Sequence, residues 1–181
     1  MKINKVTVFG SGHLGSQLTF LIAFQKFDVT IYDLDLGLLE EARTKFRELG
    51  DQFRDHYNAT QEEIDAALAN LAYSADITEA SGNADIVIEA IPDERDIKKE
   101  FFTKLGKVAP KNTIFVTSSS HLLPEDFAKE TGRPEKFLGV HFPDELWKKN
   151  SAEIIEHKKT DPAVTATVAG FIEDIGLVIA S

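Results

Sequence analysis

The chain has 181 residues, a length that suits a single domain with one core. It carries 30 acidic and 20 basic residues, and this net charge of −10 argues against binding to nucleic acid or to an anionic membrane. The absence of cysteine excludes disulfides and thiolate catalysis, and with neither a signal peptide nor a membrane-spanning run in the sequence we expect a cytoplasmic protein without a metal site.

The first part of the chain has the pattern strand, glycine-rich turn, helix, strand. The apolar run Val6–Phe9 leads into the turn Gly10–Gly15, a helical pattern continues to Phe24, and Val29–Tyr32 ends on Asp33. In a dinucleotide-binding unit the first glycine allows the turn, the second admits a pyrophosphate, and the third lets the helix pack on the strand. A glycine turn of this kind also occurs in other α/β proteins.

The acid after the second strand favours NAD. Asp33 lies 18 residues after Gly15, where a carboxylate accepts hydrogen bonds from ribose hydroxyls and repels a 2′-phosphate. His13 either touches phosphate or faces solvent at the start of the helix. The sequence therefore predicts NAD(H) as cofactor, bound by Gly10, Gly12, His13, Leu14, Gly15 and Asp33.

Helices and strands alternate along the rest of the chain. Helical spacing predicts helices over 36–53, 61–71, 76–80, 95–108, 124–126 and 162–172, and apolar runs predict strands at 73–74, 84–92, 113–117, 137–142, 152–156 and 176–180. Thr60 and Glu63 fit a capping box. The alternation indicates an α/β, doubly wound, mostly parallel Rossmann-type sheet, with residues 1–181 as a single domain. Ligands of such sheets bind beyond the carboxyl ends of the strands.

Several stretches, read together, carry a resemblance to a known family. They are Val8–Gln17, Ile31–Asp33, Val87–Pro92, Gly132–Phe137, His141-Phe142, Asn150–Glu153 and Lys159–Pro162. They resemble the N-terminal NAD-binding domain of the 3-hydroxyacyl-CoA dehydrogenases, and most of all the bacterial diketoreductase branch. The resemblance implies an NAD-dependent oxidoreductase that interconverts a 3-hydroxyacyl substrate, or a β-hydroxy ketone or ester, and its 3-keto form.

The resemblance also implies roles for individual residues. His141 and Glu153 match a general acid–base histidine and its glutamate twelve residues further on, and Ser120 matches a serine that bonds the substrate oxygen. Lys98 matches a lysine near the ribose of the cofactor. We also assign Ala90, Ile91 and Ser118 to the cofactor site, because they lie at the ends of predicted strands.

Each of these residues also has a structural alternative. His141 could be an ordinary strand-end histidine, Ser118–Ser120 a plain turn, and Lys98 a solvated side chain. Asp144 departs from the family, which has asparagine there, and a carboxylate would oppose negative charge on the substrate oxygen.

Because the sequence ends at Ser181, we expect a chain without the family's C-terminal helical domain. An NAD(H)-binding module, or a truncated or redesigned fragment, with little or no turnover is therefore the alternative function. The polar loop Phe142–Ser151 is expected to face water. The sequence defines neither the acyl substrate nor the oligomeric state.

Overall fold

The computed structural model describes residues 2–180, which form one eight-stranded sheet with helices packed against it. The strands are β1 Lys5–Phe9, β2 Asp28–Tyr32, β3 Leu71–Ser74, β4 Ile86–Glu89, β5 Ile114–Thr117, β6 Phe137–His141, β7 Ser151–Ile155 and β8 Val178–Ile179. The helices are α1 His13–Phe24, α2 Leu36–Tyr57, α3 Gln61–Ala69, α4 Ile77–Ser81, α5 Arg95–Val108 and α6 Pro162–Asp174, with short 3-10 turns at Pro124–Asp126 and Pro134–Lys136. The predicted alternation of strands and helices is confirmed.

Six strands pair in parallel, in the order β3-β2-β1-β4-β5-β6. From β1 the chain adds β2 and β3 on one side of the sheet, and then β4, β5 and β6 on the other side. The strand order therefore reverses between β1 and β4, and ligands of such sheets bind at this switch point. β7 instead runs antiparallel to β6. The connection between them, residues 142–150, is too short for the crossover that a parallel strand needs. β8 pairs in parallel with β7 at the edge of the sheet. The sheet is thus doubly wound and mostly parallel, as predicted.

Alternation along the strands divides the apolar side chains between two cores. In β1, Val6 and Val8 enter a core shared with α1, α2, α3 and α6. Phe9 enters a second core, with Phe101 and Phe102 of α5. Each fully buried side chain of this size contributes roughly 1.5–3 kcal/mol. Both faces of the sheet are therefore covered, and its carboxyl edge is a rigid base for a site.

The helix ends have local causes. The predicted capping box is present: Thr60 N–H donates to Glu63 Oε2 over 2.8 Å, and Glu63 N–H donates to Thr60 Oγ1 over 3.2 Å. α2 continues past the predicted end at residue 53 and stops at Asn58, which has φ +52°. α3 ends at Ala69, earlier than predicted, because Leu71 already pairs with β2. Within residues 2–180, no helix is both long and apolar enough to cross a membrane.

Candidate functional site

The turn between β1 and α1 is tight, and two of its glycines are needed by the fold itself. Gly10 has φ +104°, and a Cβ there would lie 2.5 Å from the carbonyl oxygen of Ala90. A Cβ on Gly15 would overlap the carbonyl group of Gly10. Gly12 differs, because no atom lies within 4 Å of the position its Cβ would take. The space in front of Gly12 is therefore open to a ligand that approaches the backbone.

The N-terminus of α1 borders this open space. Gly12 is the N-cap residue, and within residues 2–180 no side chain caps the helix and its first turn holds no acid. Gly10 N–H, by contrast, donates to the carbonyl oxygen of Tyr32 over 2.9 Å. Uncapped N–H groups and the positive end of the helix dipole attract phosphate. The turn therefore fits the pyrophosphate of a dinucleotide.

Asp33 connects the end of β2 to the glycine turn. Its Oδ2 accepts hydrogen bonds from Ser11 N–H over 2.7 Å and from Ser11 Oγ over 2.5 Å, and its Oδ1 accepts one from Leu34 N–H over 2.7 Å. A carboxylate offers about four acceptor positions, so one remains, and a second becomes free when the Ser11 hydroxyl rotates. The side chain thus has the two acceptors that a ribose diol requires.

A cavity of about 770 Å³ lies between the glycine turn and the ends of β2 and β4. Ala90 and Ile91 line it from the end of β4, Ile97 and Phe101 line it from α5, and Asp33 places a carboxylate in its wall. A concave site of this volume, with apolar walls and few polar groups, is typical of small-molecule binding. The cavity lies at the switch point of the sheet, where a cofactor is expected.

The other predicted cofactor residues have different surroundings. Leu14 is half-buried against the core, and Ser118 is buried, with its N–H donating to the carbonyl oxygen of Glu89 over 2.9 Å. His13 is exposed, and its Nε2 lies 2.8 Å from Gln17 Nε2. The structure thus shows His13 exposed to solvent at the start of α1. A contact between His13 and a phosphate of the cofactor stays a prediction.

Lys98 is buried in an ion pair, so the alternative of a solvated side chain is wrong. Its side chain is 1% exposed, and Nζ lies 2.5 Å from Glu89 Oε1, 3.2 Å from Asp93 Oδ1 and 3.4 Å from the Ile91 carbonyl oxygen. Glu89 is fully buried and also accepts from Thr117 Oγ1 over 2.7 Å and from Ile91 N–H over 2.9 Å. Burial raises the pKa of Glu89, and the neighbouring Lys98 ammonium opposes this. Sequence analysis missed Glu89, although an acid inside a buried strand requires a polar partner.

The predicted catalytic residues lie together at one edge of the sheet. His141, the last residue of β6, is directly opposite Glu153 in the antiparallel β6–β7 pair. Residues paired in this way have Cβ atoms about 4.5–5.5 Å apart and share a face. Ser120 lies just beyond β5, the parallel neighbour of β6, and all three residues are exposed. The hydrogen bonds among residues 2–180 do not include one between the side chains of His141 and Glu153.

The loop Phe142–Ser151 does not face water throughout, which corrects the expectation from its polarity. Leu146 is fully buried, and Trp147 is buried with its ring centre 5.9 Å from that of Phe53 on α2. Asp144 and the other charged residues of the loop are exposed. Phe142, at the start of the loop, is buried as well. Three apolar side chains thus hold the loop on the core while its charges stay in water.

The chain is similar over nearly its whole length to known dehydrogenases. The family model described as "3-hydroxyacyl-CoA dehydrogenase, NAD binding domain" matches residues 5–179. A probable 3-hydroxybutyryl-CoA dehydrogenase of Bacillus subtilis is 27% identical over 176 residues, which are 97% of this chain and 61% of that protein. The mitochondrial hydroxyacyl-coenzyme A dehydrogenase of Rattus norvegicus is 26% identical over 179 residues, which are 96% of this chain and 57% of that protein. The chain thus spans about three-fifths of the length of these relatives.

One solved structure has both a similar fold and a similar sequence. It is a diketoreductase, described as catalysing reactions of dicarbonyl compounds, with a TM-score of 0.97 and 42% sequence identity. The match covers 99% of this chain and 64% of the diketoreductase chain. This match agrees with the resemblance of the sequence to the bacterial diketoreductase branch. These similarities identify the chain as the NAD-binding domain of a dehydrogenase family.

Proposed function

The chain belongs to the 3-hydroxyacyl-CoA dehydrogenase family, as its NAD-binding domain, and we propose that it serves an NAD-dependent oxidoreductase. The reaction interconverts a 3-hydroxyacyl substrate, or a β-hydroxy ketone or ester, and its 3-keto form. The cross-strand pairing of His141 and Glu153 carries this proposal, because acid–base catalysis needs an imidazole beside a carboxylate, and this pair lies at the same end of the sheet as the cavity. Bound NAD supplies the acceptor for the hydride.

His141 transfers the proton of this reaction. As the carbinol C–H bond breaks and its hydride leaves, the neutral imidazole takes the hydroxyl proton, and the imidazolium returns it in the reverse direction. Glu153, on the paired strand, orients the ring and stabilises the imidazolium. The Ser120 hydroxyl donates a hydrogen bond to the substrate oxygen and holds it near His141.

The cofactor site is assigned to the carboxyl edge around the glycine turn. The N–H groups that begin α1 would bind the pyrophosphate, and the Asp33 carboxylate would accept hydrogen bonds from the ribose diol. The remaining contacts are assigned to Gly10, Gly12, His13, Leu14, Gly15, Ala90, Ile91 and Ser118. We treat residues 1–181 as one cofactor-binding domain, since one sheet runs through the described part of it; Met1 and Ser181 lie outside the described residues. A cytoplasmic location stays a prediction from composition.

NADH titration with and without a β-keto substrate tests the proposal. Enhanced NADH fluorescence reports binding, and the loss of NADH absorbance with acetoacetyl-CoA or a diketo ester reports turnover and distinguishes the two substrate classes. His141→Ala should abolish turnover while keeping NADH affinity, and His56→Ala, an exposed histidine on α2, is the control. Binding of NADH without consumption, or turnover that survives His141→Ala, would contradict the proposed function.

A further inference from the structure

Lys45 of α2 contacts the glycine turn, although the two are far apart in the sequence. Its Nζ donates a hydrogen bond to the carbonyl oxygen of Ser11 over 3.1 Å, across 34 positions of the chain. The side chain of Lys45 is half-buried. The contact therefore holds one positive charge beside the turn between β1 and α1.

Lys45 lies where two cavities meet. It lines the 770 Å³ cavity together with Gly12 and Asp33, and it lines a second cavity of about 810 Å³ together with His13. Of the described residues that line these two cavities, only Lys45 is common to both. Gly12 is the N-cap of α1 and His13 is its first residue. The ammonium group thus lies next to the start of α1, where the proposed function places the pyrophosphate.

The charge of Lys45 is not neutralised by a carboxylate. Among residues 2–180, Lys45 takes part in no ion pair. Lys104, which also lines the 770 Å³ cavity, pairs with Glu100 over 2.6 Å. An ammonium group has three N–H donors, and the Ser11 carbonyl oxygen accepts from one of them, so two remain for an anion.

The backbone alone does not balance the charge of a pyrophosphate. Each phosphate of the bridge is negative, whereas the start of a helix supplies only about half a positive charge. The Asp33 carboxylate, which lines the same cavity, adds a further negative charge. A lysine supplies the missing cation, and its hydrogen bonds to phosphate are roughly twice as strong as those of a neutral donor.

We propose that Lys45 is a cofactor-binding residue, whose ammonium group donates hydrogen bonds to the pyrophosphate of NAD(H). The Ser11 carbonyl oxygen keeps the ammonium group beside the turn. The assignment rests on the proposed function for the position of the cofactor, and it adds one side-chain cation to the N–H groups that begin α1. Lys45 contributes to cofactor affinity and takes no part in proton transfer by His141.

Ligands with and without a pyrophosphate test the assignment. NMR titration of the whole chain with ADP-ribose and with adenosine measures both affinities. Lys45→Met should weaken ADP-ribose binding about tenfold, through loss of a charge-assisted hydrogen bond, and should leave adenosine binding unchanged. Arg47→Met removes an exposed cation of the same helix and should change neither affinity. An equal loss for both ligands in Lys45→Met would show that Lys45 only supports the turn, and would overturn the proposal.

Two further variants separate the charge of Lys45 from its contact with Ser11. Lys45→Gln retains an N–H donor but has no charge, so it should lose as much ADP-ribose affinity as Lys45→Met, and it serves if Lys45→Met fails to fold. Lys45→Arg keeps the charge and should recover most of the affinity. Added salt should weaken ADP-ribose binding more steeply in the unaltered chain than in Lys45→Gln. Full ADP-ribose affinity in Lys45→Gln would overturn the proposal.

The same titrations distinguish the role of Lys45 from the proposed function, because the affinities are measured without turnover. An unaltered chain that binds ADP-ribose but does not consume NADH with a β-keto substrate contradicts the proposed reaction alone. ADP-ribose binding that is the same in the unaltered chain, Lys45→Met and Lys45→Gln contradicts the role of Lys45 alone.

Discussion

Asp33 accepts two hydrogen bonds from Ser11, one from its backbone N–H over 2.7 Å and one from its hydroxyl over 2.5 Å. The same carboxylate lines the 770 Å³ cavity and is the proposed ribose ligand. One side chain thus closes the glycine turn and lines the cavity. A substitution at Asp33 alters both functions together, whereas a substitution at Ser11 loosens the turn and leaves the carboxylate in place.

Asp33→Ala should weaken NADH binding by about 1–3 kcal/mol, the cost of losing hydrogen bonds to a charged group. It should also reduce the preference for NADH over NADPH, because the carboxylate that repels a 2′-phosphate is gone. Fluorescence titration with both cofactors measures the two effects. Ser11→Ala is the control and should keep the preference for NADH. Equal dissociation constants of the unaltered chain for NADH and NADPH would contradict the assignment of Asp33.

Gly12→Val should abolish nucleotide binding while the fold is largely kept. Apart from the residues next to Gly12 in the chain, no protein atom lies within 4 Å of the new Cβ, and the side chain fills the space that the pyrophosphate needs. Gly15→Ala is the contrasting variant, because its Cβ overlaps the Gly10 carbonyl group, so its unfolding temperature should fall as well. Thermal unfolding and NADH titration together distinguish the two. Unchanged NADH affinity in Gly12→Val would show that the turn is only structural.

Sequence reasoning succeeded where local patterns decide the structure. The glycine turn, the capping box at Thr60 and Glu63, and the strand that ends just before Asp33 each depend on residues close together in the chain. The twelve-residue spacing of His141 and Glu153 came from the resemblance. Their direct pairing was not predicted, because the antiparallel direction of β7 follows from the short connection before it.

The residues whose surroundings the sequence did not predict depend on distant partners. Lys98 lies on a helix with many charged residues, and only the fold shows that it points at Glu89 of β4. Leu146 and Trp147 lie in a short loop without periodicity, so nothing in the local pattern showed that they enter the core near Phe53. Contacts with residues distant in the sequence determine where these side chains lie, and the spacing of hydrophobic residues along the chain does not predict such contacts.

Arg133 supports the end of α5, and its removal should destabilise the fold. Its guanidinium donates to the carbonyl oxygens of Gly106 over 3.0 Å, Ala109 over 3.2 Å and Pro110. Arg133→Met should lower the free energy of unfolding by about 1.5–3 kcal/mol, the usual value for hydrogen bonds from a charged donor. Urea unfolding measures the change, with the exposed Arg47→Met on α2 as control. A loss no larger than that of the control would contradict this role.

The capping box should make the free energy of unfolding depend on pH in the acid range, through protonation of Glu63. Hydrogen bonds from the backbone and then the side chain of Thr60 lower the pKa of Glu63 from its ordinary value of 4.5. A carboxyl group with a lowered pKa in the folded state contributes stability above its unfolded pKa and loses it as the pH falls through the folded pKa. The difference in unfolding free energy between the unaltered chain and Glu63→Gln should therefore stay constant near neutrality and shrink below pH 4.5.

Urea unfolding over a series of pH values measures this difference. Glu62→Gln is the matched control, because Glu62 is the neighbouring exposed acid of the same helix turn. A difference for Glu63→Gln that does not change with pH, or that is reproduced by Glu62→Gln, would contradict the link between the capping box and the acid sensitivity.

Asp144→Asn should raise the rate at which a β-keto substrate is reduced. Asp144 is exposed in the loop that follows His141, and its negative charge opposes the charge that the substrate oxygen gains in the transition state. Glu145→Gln makes the same charge change one residue away, at a carboxylate that pairs with Lys148 over 2.8 Å. Initial rates of NADH consumption compare the two variants. A rise in Asp144→Asn alone places residue 144 near the reacting oxygen, since a general effect of net charge would raise both rates. A fall in Asp144→Asn would contradict the assignment of the catalytic edge around His141, because removal of an opposing charge can only favour the reaction there.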